Sequence, residues 1–265
     1  MNSQAAVTPI IEMRNIRKHY GPVIALAGVS IKIYPGECHC LLGDNGAGKS
    51  TFIKAMSGVV KPTQGEIIVN GEQKFFNNPR DAMQAGIATV HQHLAMIPLM
   101  SVSRNFFLGN EPTKKIAGIQ FYDRKYADRK TMEAMSKMGI NLRGPDQAVG
   151  TLSGGERQTV AISRAVHFGA QVLILDEPTS ALGVRQTSNV LATIDKVRNE
   201  GVAVVVFITH NVRHALAVGD RFTVLNRGQT HGTAMRGDIT PEDLQNLMAG
   251  GQELATLEGS LGGTV

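Results

Sequence analysis

Eight residues, Gly43-Asp44-Asn45-Gly46-Ala47-Gly48-Lys49-Ser50, followed by Thr51, constrain this chain more than any other stretch. They fit G-x-x-x-x-G-K-[ST], a phosphate-binding loop that needs a strand before it and a helix after it. Both are legible. Glu37–Leu42 (ECHCLL) reads as a buried strand, and Thr51–Ser57 (TFIKAMS) reads as the opening of a helix. The glycines let the backbone curl so that several N–H groups point at one anion. The helix N-terminus adds its partial positive charge at the same place. Lys49 would neutralise β/γ-phosphate oxygens, and the Ser50 hydroxyl is a hard oxygen ligand for Mg²⁺. The four fixed positions arise by chance in roughly one chain in a hundred. An ordinary glycine-rich turn is the competing reading, and the strand–loop–helix context argues against it. The stretch specifies a nucleotide site.

The rest of the chain agrees with a globular α/β protein. Its 265 residues suffice for one large domain or two small ones, with 42% hydrophobic and 18% charged residues. The formal charge of +5 is spread out, with no block of five or six basic residues. Nucleic acid is therefore not the favoured partner, whereas an anionic membrane surface is compatible. The N-terminus has no charged segment followed by a long apolar run, so no secretory signal is expected. No apolar run approaches a membrane span; the best, Val202–Ile208, is strand length. Cys38 and Cys40 share one face of their strand. With only His39 between them they make a poor zinc set, and two small core residues in a reducing, cytosolic compartment are expected.

Taken in order, residues 1–9 are expected to be flexible. Ile10–Ile16 and Val23–Ile33 alternate as strands, joined through Lys18–Pro22. Glu66–Asn70 and Glu72–Phe76 flank an Asn70-Gly71 hairpin turn. Pro79–Ala85 reads as a helix and Gly86–Val90 as a strand ending before Gln92. From His93 to Gly150 the texture becomes helical, with Ser101–Leu108 and Asp123–Met138 as helices. Met132, Met135 and Met138 recur at helical spacing and predict a buried face rather than ligands. Gly154–Phe168 is a helix, Gln171–Asp176 a strand, Val184–Glu200 a helix and Val202–Ile208 a fully buried strand. Such runs, apolar on both faces, mark a parallel sheet covered on both sides. Asn211–Val218 is helical, Arg221–Leu225 and Gln229–Thr233 form a closing hairpin, and Thr240 caps the helix Pro241–Met248. Residues 249–265 are expected to be a flexible tail.

Two further stretches carry chemistry. Val172–Glu177 is an apolar strand ending in two carboxylates. Asp176 follows the strand period and can reach a metal directly or through water, while Glu177 is displaced toward the γ-phosphate as a general base. Leu152-Ser153-Gly154-Gly155-Glu156 opens a helix with a hydroxyl and two bare glycines, a second anion site. Ser153 with Glu156 is equally a capping box, and both roles can hold at once.

In this order the stretches resemble the ATP-binding cassette family over residues ~10 to ~235. Gly43–Ser50 is similar to its Walker A motif, Leu173–Glu177 to Walker B and Leu152–Glu156 to the LSGGQ signature. Gln92 matches the Q-loop glutamine, His210 the switch histidine and Tyr20 the aromatic that stacks on adenine. The resemblance implies a P-loop NTPase with a RecA-like parallel core, an antiparallel β subdomain and an inserted helical subdomain at about 93–158, all within 10–248. It implies ATP and Mg²⁺, with Ser50, Gln92 and Asp176 toward the metal and Glu177 and His210 catalytic. It further implies a head-to-tail homodimer, each ATP lying between one copy's Walker A and the other's Ser153, Gly154 and Gly155. The segment after Gln92 is expected to grip a transmembrane permease.

Thr89–Leu94 and Ser101–Gly109 are similar to simple-sugar importers. That resemblance implies a peripheral subunit at the cytoplasmic face of a prokaryotic membrane, served by an extracytoplasmic sugar-binding protein. A transporter ATPase for an amino acid or lipid, and a soluble cassette acting on nucleic acid or ribosomes, are the alternatives. One departure stands out: Ser180-Ala181-Leu182-Gly183 has glycine where the family has aspartate, which bears on coupling between the two sites.

Overall fold

A computed structural model describes residues 7–199 and 201–249. The flexible ends expected at 1–9 and 249–265 fall mostly outside the described residues. The core is a six-stranded sheet built on β3 (Cys38–Leu42), whose five residues are all buried. Its neighbours are β10 (Val204–Ile208) and β11 (Arg221–Asn226), both parallel to it. Beyond β10 lie β9 (Val172–Asp176) and β6 (Ile87–Val90), again parallel, and β12 (Gln229–Met235) closes the other edge antiparallel to β11. The period of two divides these strands between two cores. Leu41, Ile174, Val206 and Ile208 face one core with Phe52 and Met56 of α1 (Lys49–Met56). Cys40, Leu175, Val205 and Phe207 face the other. That second core is covered by α5 (Gly154–His167), α6 (Val184–Asn199), α7 (Val212–Val218) and α8 (Pro241–Met248). The last residue expected in the α6 helix, at 200, lies outside the described residues.

Cys38 and Cys40 are free, buried and in one core, as two small hydrophobic residues would be. His39 alternates to the opposite face, where Nδ1 lies 3.0 Å from Glu37 and Nε2 2.9 Å from the Thr223 hydroxyl. The C-x-C pair and its histidine therefore never converge on one point.

Against the first core lies a four-stranded antiparallel sheet of β1 (Ile11–Tyr20), β2 (Val23–Ile33), β4 (Gln64–Val69) and β5 (Glu72–Lys74). The Asn70-Gly71 turn has positive φ at both residues, 52° and 81°, as a two-residue hairpin turn requires. Here the expectation needs correcting: the first strand does not stop at Ile16. Lys18, His19 and Tyr20 continue to pair with β2, and the link is the tight turn Gly21-Pro22.

The inserted segment packs its own core of Val102, Phe106, Phe107, Ala127, Met135, Val149 and Val160. It carries α3 (Val102–Phe107), capped by Ser101, and α4 (Arg124–Lys137), capped by Asp123. Met135 and Met138 are buried as their spacing predicts, but Met132 is only half-buried. Between α3 and α4 the chain forms an unpredicted hairpin, β7 (Thr113–Ile116) and β8 (Ile119–Tyr122). Its turn, Ala117-Gly118, has φ of 49° and 87°. Alanine at the first turn position hides a signal that asparagine would have given. A short helix, α2 (Pro79–Gln84), precedes β6 and carries a capping box from Asn78 and Asp81. No helix among the described residues is long and apolar enough to cross a membrane.

Phe207 has no exposed surface and sits mid-strand in the second core. Phe207→Ala should cost about 3–5 kcal/mol, read as a lowered unfolding midpoint in urea.

Candidate nucleotide site

Register decides what meets at the end of the central sheet. Ile208 pairs with both Asp176 and Leu41, and Val90 pairs with Leu175. The strands thus finish at one level, and the residues just beyond them are the phosphate loop, Glu177, His210, and His91 with Gln92. The carboxyl ends of parallel strands are where open α/β sheets bind ligands.

The loop's shape depends on its glycines. Gly43, Gly46 and Gly48 have φ of 146°, 85° and 100°, conformations that side chains resist. A methyl group on Gly43 would come 2.3 Å from the Leu225 carbonyl oxygen. Gly48 stands at the N-terminus of α1, which has no side-chain cap and no acid in its first turn. The N-termini of α2, α5 and α8 are closed by capping boxes instead. The partial positive charge at α1 is therefore left for a ligand anion. Lys49 is buried and donates to the carbonyls of Gly43 and Asp44, the latter at 3.1 Å, while Ser50 is exposed. Asp44, Asn45 and Gly46 form the open rim, Ala47 is buried and Thr51 is half-buried.

Opposite the loop, Glu177 holds a left-handed backbone, φ 49°, costly for a residue with a side chain. Its N–H donates to Ile208 (3.1 Å), and its carbonyl accepts from the Ser180 N–H and hydroxyl (3.2 and 3.0 Å). Both oxygens of its carboxylate lie 3.0 Å from His210 Nδ1, Oε1 in a hydrogen bond and Oε2 at ion-pair distance. Burial raises the proton affinity of Asp176, opposed by His91 at 3.9 Å. The Lys49 ammonium is pushed below its ordinary range by burial, with Glu177, Asp44 and Asp176 pulling the other way. Gln92 donates from Nε2 to the Ser180 hydroxyl at 3.1 Å, so its side chain rests on the turn after Glu177.

The donor set suits magnesium. Among the described residues no cluster of three or more His, Cys, Asp or Glu could cage a metal. Magnesium needs only one or two carboxylates and hydroxyls, completed by phosphate and water. Asp176 and Ser50 offer that chemistry.

The remaining candidates lie elsewhere. Tyr20 ends β1 half-exposed, with Lys18 Nζ 5.2 Å from its ring centre. Leu152–Glu156 packs on the start of α6. Ser153 and Glu156 form the reciprocal capping box, at 3.3 and 2.7 Å. A methyl on Gly154 would come 2.7 Å from Leu182, and one on Gly155 3.2 Å from Gln186. The first contact is with the end of a flexible side chain, and the second would be relieved by a shift of a few tenths of an ångström.

Sequence reasoning missed three participants. Gly228, in the β11–β12 turn, donates to the Ala47 carbonyl (3.0 Å) and accepts from Ala27 (2.7 Å). His214, one helical turn after His210, lies 3.0 Å from the Thr179 hydroxyl. His91 faces Asp176. Only the i,i+4 spacing of His210 and His214 was visible beforehand.

Residues 26–180 match the ABC transporter domain family. The chain is 42% identical over 252 residues to a fructose import ATP-binding protein of Rhizobium meliloti, covering 94% of this chain and 96% of that protein. It is 38% identical to a xylose/arabinose import ATP-binding protein of Sulfolobus acidocaldarius, covering 91% and 94%. A ribose import ATP-binding protein of Escherichia coli O157:H7 is 37% identical over 92% of this chain, which spans only 47% of that relative. In fold, the chain is similar to an ATP-binding cassette of an ABC transporter in its ADP conformation, with TM-score 0.79 and 22% identity over 95% of this chain and 99% of that one. It is also similar to a dimeric cassette in a post-hydrolysis state with ADP and Pi, with TM-score 0.71 and 24% identity over 86% and 100%.

Because folding depresses the Lys49 pKa, its stabilising share is complete only above the unfolded value and is lost as pH falls through the folded one. At neutral pH the charge therefore opposes folding. Lys49→Met should melt at least as high as the parent without nucleotide, while the rise in Tm on adding ATP disappears.

Proposed function

The chain belongs to the ABC transporter family of ATPases, and on that premise we propose that it is the ATP-hydrolysing subunit of an importer carrying a simple sugar through a membrane permease. One observation carries the chemistry: the glycine loop with Lys49, the Asp176–Glu177 pair and His210 meet at one end of the parallel sheet. The sugar class is supported by the relatives, three of which are named for import of fructose, xylose/arabinose and ribose. The cytoplasmic face of the membrane and an extracytoplasmic sugar-binding protein follow from the same reading.

Each residue has a distinct task. Gly43–Gly48 present backbone N–H groups, Lys49 neutralises phosphate charge and Thr51 closes the first turn of α1. Tyr20 offers its exposed ring to adenine. Bound magnesium would be held by Ser50 and Asp176, with Gln92 alongside, and would neutralise charge on the phosphates. Glu177 accepts a proton from the attacking water, and His210, 3.0 Å away, holds that carboxylate in place. Leu152–Glu156 would meet the phosphates of a second copy, Ser153, Gly154 and Gly155 leading, so that catalysis is positioning and charge stabilisation. The permease would seat where β6 meets the inserted segment. There a cavity of about 220 Å³ is lined by His91 and His93, the neighbours of Gln92, with Leu94, Met96, Ala161 and Phe168.

Glu177→Gln keeps length and shape at the left-handed position but removes the base. In ATP and Mg²⁺ its solution mass should double relative to the nucleotide-free sample, while the hydrolysing parent stays mostly monomeric. A persistent monomer at saturating ATP would sink the homodimer. Gly183 supplies the second prediction. Its backbone is not left-handed, a methyl there would meet nothing within 4 Å, and its carbonyl accepts the Thr187 N–H at 2.9 Å. Gly183→Asp should therefore leave stability unchanged or raise it by up to ~1 kcal/mol as an N-cap. In the Glu177→Gln background it should lower the ATP concentration at which the dimer forms.

A further inference from the structure

The β7–β8 hairpin is the feature that the nucleotide chemistry does not use. Its base is fixed: the Asp123 N–H donates to the Pro112 carbonyl at 2.8 Å, and Tyr122 packs against the core of the inserted segment. Above that base every residue from Thr113 to Phe121 is exposed. Register then sorts the side chains. Ile116 pairs with Ile119 and Lys114 with Phe121, so these four share one face, and Lys115 with Gln120 shares the other. Ile116, Ile119 and Phe121 are 52%, 62% and 47% exposed, a contiguous apolar face with no partner among the described residues.

We propose that this hairpin is a membrane-contact tip, pressing Ile116, Ile119 and Phe121 into the headgroup region of an anionic bilayer while Lys114 and Lys115 meet lipid phosphates. The order of side chains along the blade carries it. Ile116, Ala117, Gly118 and Ile119 make the tip wholly apolar, and the lysines come one and two residues behind. That places the lysines about 3–7 Å behind the tip at the rise of a strand, which overlaps the shallow part of the 5–10 Å to which interfacial apolar groups penetrate. Between Pro112 and Tyr122 there is no acidic residue, so the charge complements phosphate and repels cations. Asp123, 3.9 Å from Lys114, sits at the base on the far side from the tip. The inference rests on the importer reading for its setting, because such a subunit works against a bilayer.

The test uses the full chain and vesicles of phosphatidylcholine alone or with about one-quarter phosphatidylglycerol, scored by flotation. The parent should bind the anionic vesicles at least tenfold more strongly. Lys114→Gln/Lys115→Gln should weaken that binding roughly twenty-five-fold, about fivefold per lysine. Ile116→Ser/Ile119→Ser/Phe121→Ser should weaken it at least tenfold and should do so in high salt, where the lysines are screened. Both variants should keep the parent's ATPase rate, since the hairpin contributes none of the residues gathered at the sheet end. Absent binding to anionic vesicles, or variants that bind like the parent, overturns the proposal. So does a nucleotide-free parent that is dimeric and becomes monomeric in the serine variant, because the face would then belong to a second copy. Vesicle binding through the hairpin without ATP-dependent dimerisation would count against the homodimer of the importer reading instead, and dimerisation without vesicle binding would sink only this one.

Discussion

The parallel pairing of β3 with β10 on one side and β11 on the other is the constraint on which the rest depends. A strand buried on both faces has no freedom to slip, since one residue of slippage would exchange the two cores. Cys38, Cys40 and Leu42 face one core and Leu41 the other, so their level is fixed against Val205, Phe207 and Ile208. Catalytic geometry follows without further adjustment. The loop begins where β3 ends, Asp176 lies in the row of Ile208, Glu177 is the next residue out on its strand, and His210 follows Ile208 by two.

Local strain is concentrated at this edge. Gly43 tolerates a carbonyl where no methyl could fit, and Glu177 is held left-handed by three hydrogen bonds to Ile208 and Ser180. Lys49 keeps its charge under burial among Asp44, Asp176 and Glu177. Each feature is unfavourable alone. Each is sustained because the paired strands beneath cannot relax, which is how a stable sheet supports a preorganised site.

How much of this was legible varied with the kind of signal. The phosphate loop, the strand ending in Asp176 and Glu177, and the buried runs at 172–176 and 204–208 were readable because covalent spacing and continuous apolarity carry them. Fold class, family and ATPase activity followed, and the structural neighbours and relatives bear them out. The extension of β1 to Tyr20 was hidden, because Lys18 and His19 are solvent-facing pairs in a ribbon and carry no hydrophobic period. The β7–β8 hairpin was hidden for a similar reason. Its register is set by backbone pairing and a positive-φ alanine rather than by burial, which is the signal that periodicity reads. The left-handed Glu177 and the contacts of His91 and Gly228 are products of tertiary approach and leave no local trace, while His214 left only its spacing from His210.

The Gly228 turn has a mechanical consequence. It is hydrogen-bonded at once to Ala47 in the phosphate loop and to Ala27 in β2, and a methyl group at Gly228 would come 2.7 Å from the Ala25 carbonyl oxygen. The loop, the edge of the central sheet and the antiparallel sheet bearing Tyr20 are therefore riveted at one point. A displacement of the phosphate loop is therefore carried directly to the antiparallel sheet that bears Tyr20. Compliance is left on the opposite side, where Gln92 leans on Ser180 through one exposed hydrogen bond at the entrance to the inserted segment. The two attachments thus differ in kind: a buried double hydrogen bond with no room for a methyl at Gly228, and a single exposed side-chain contact at Gln92.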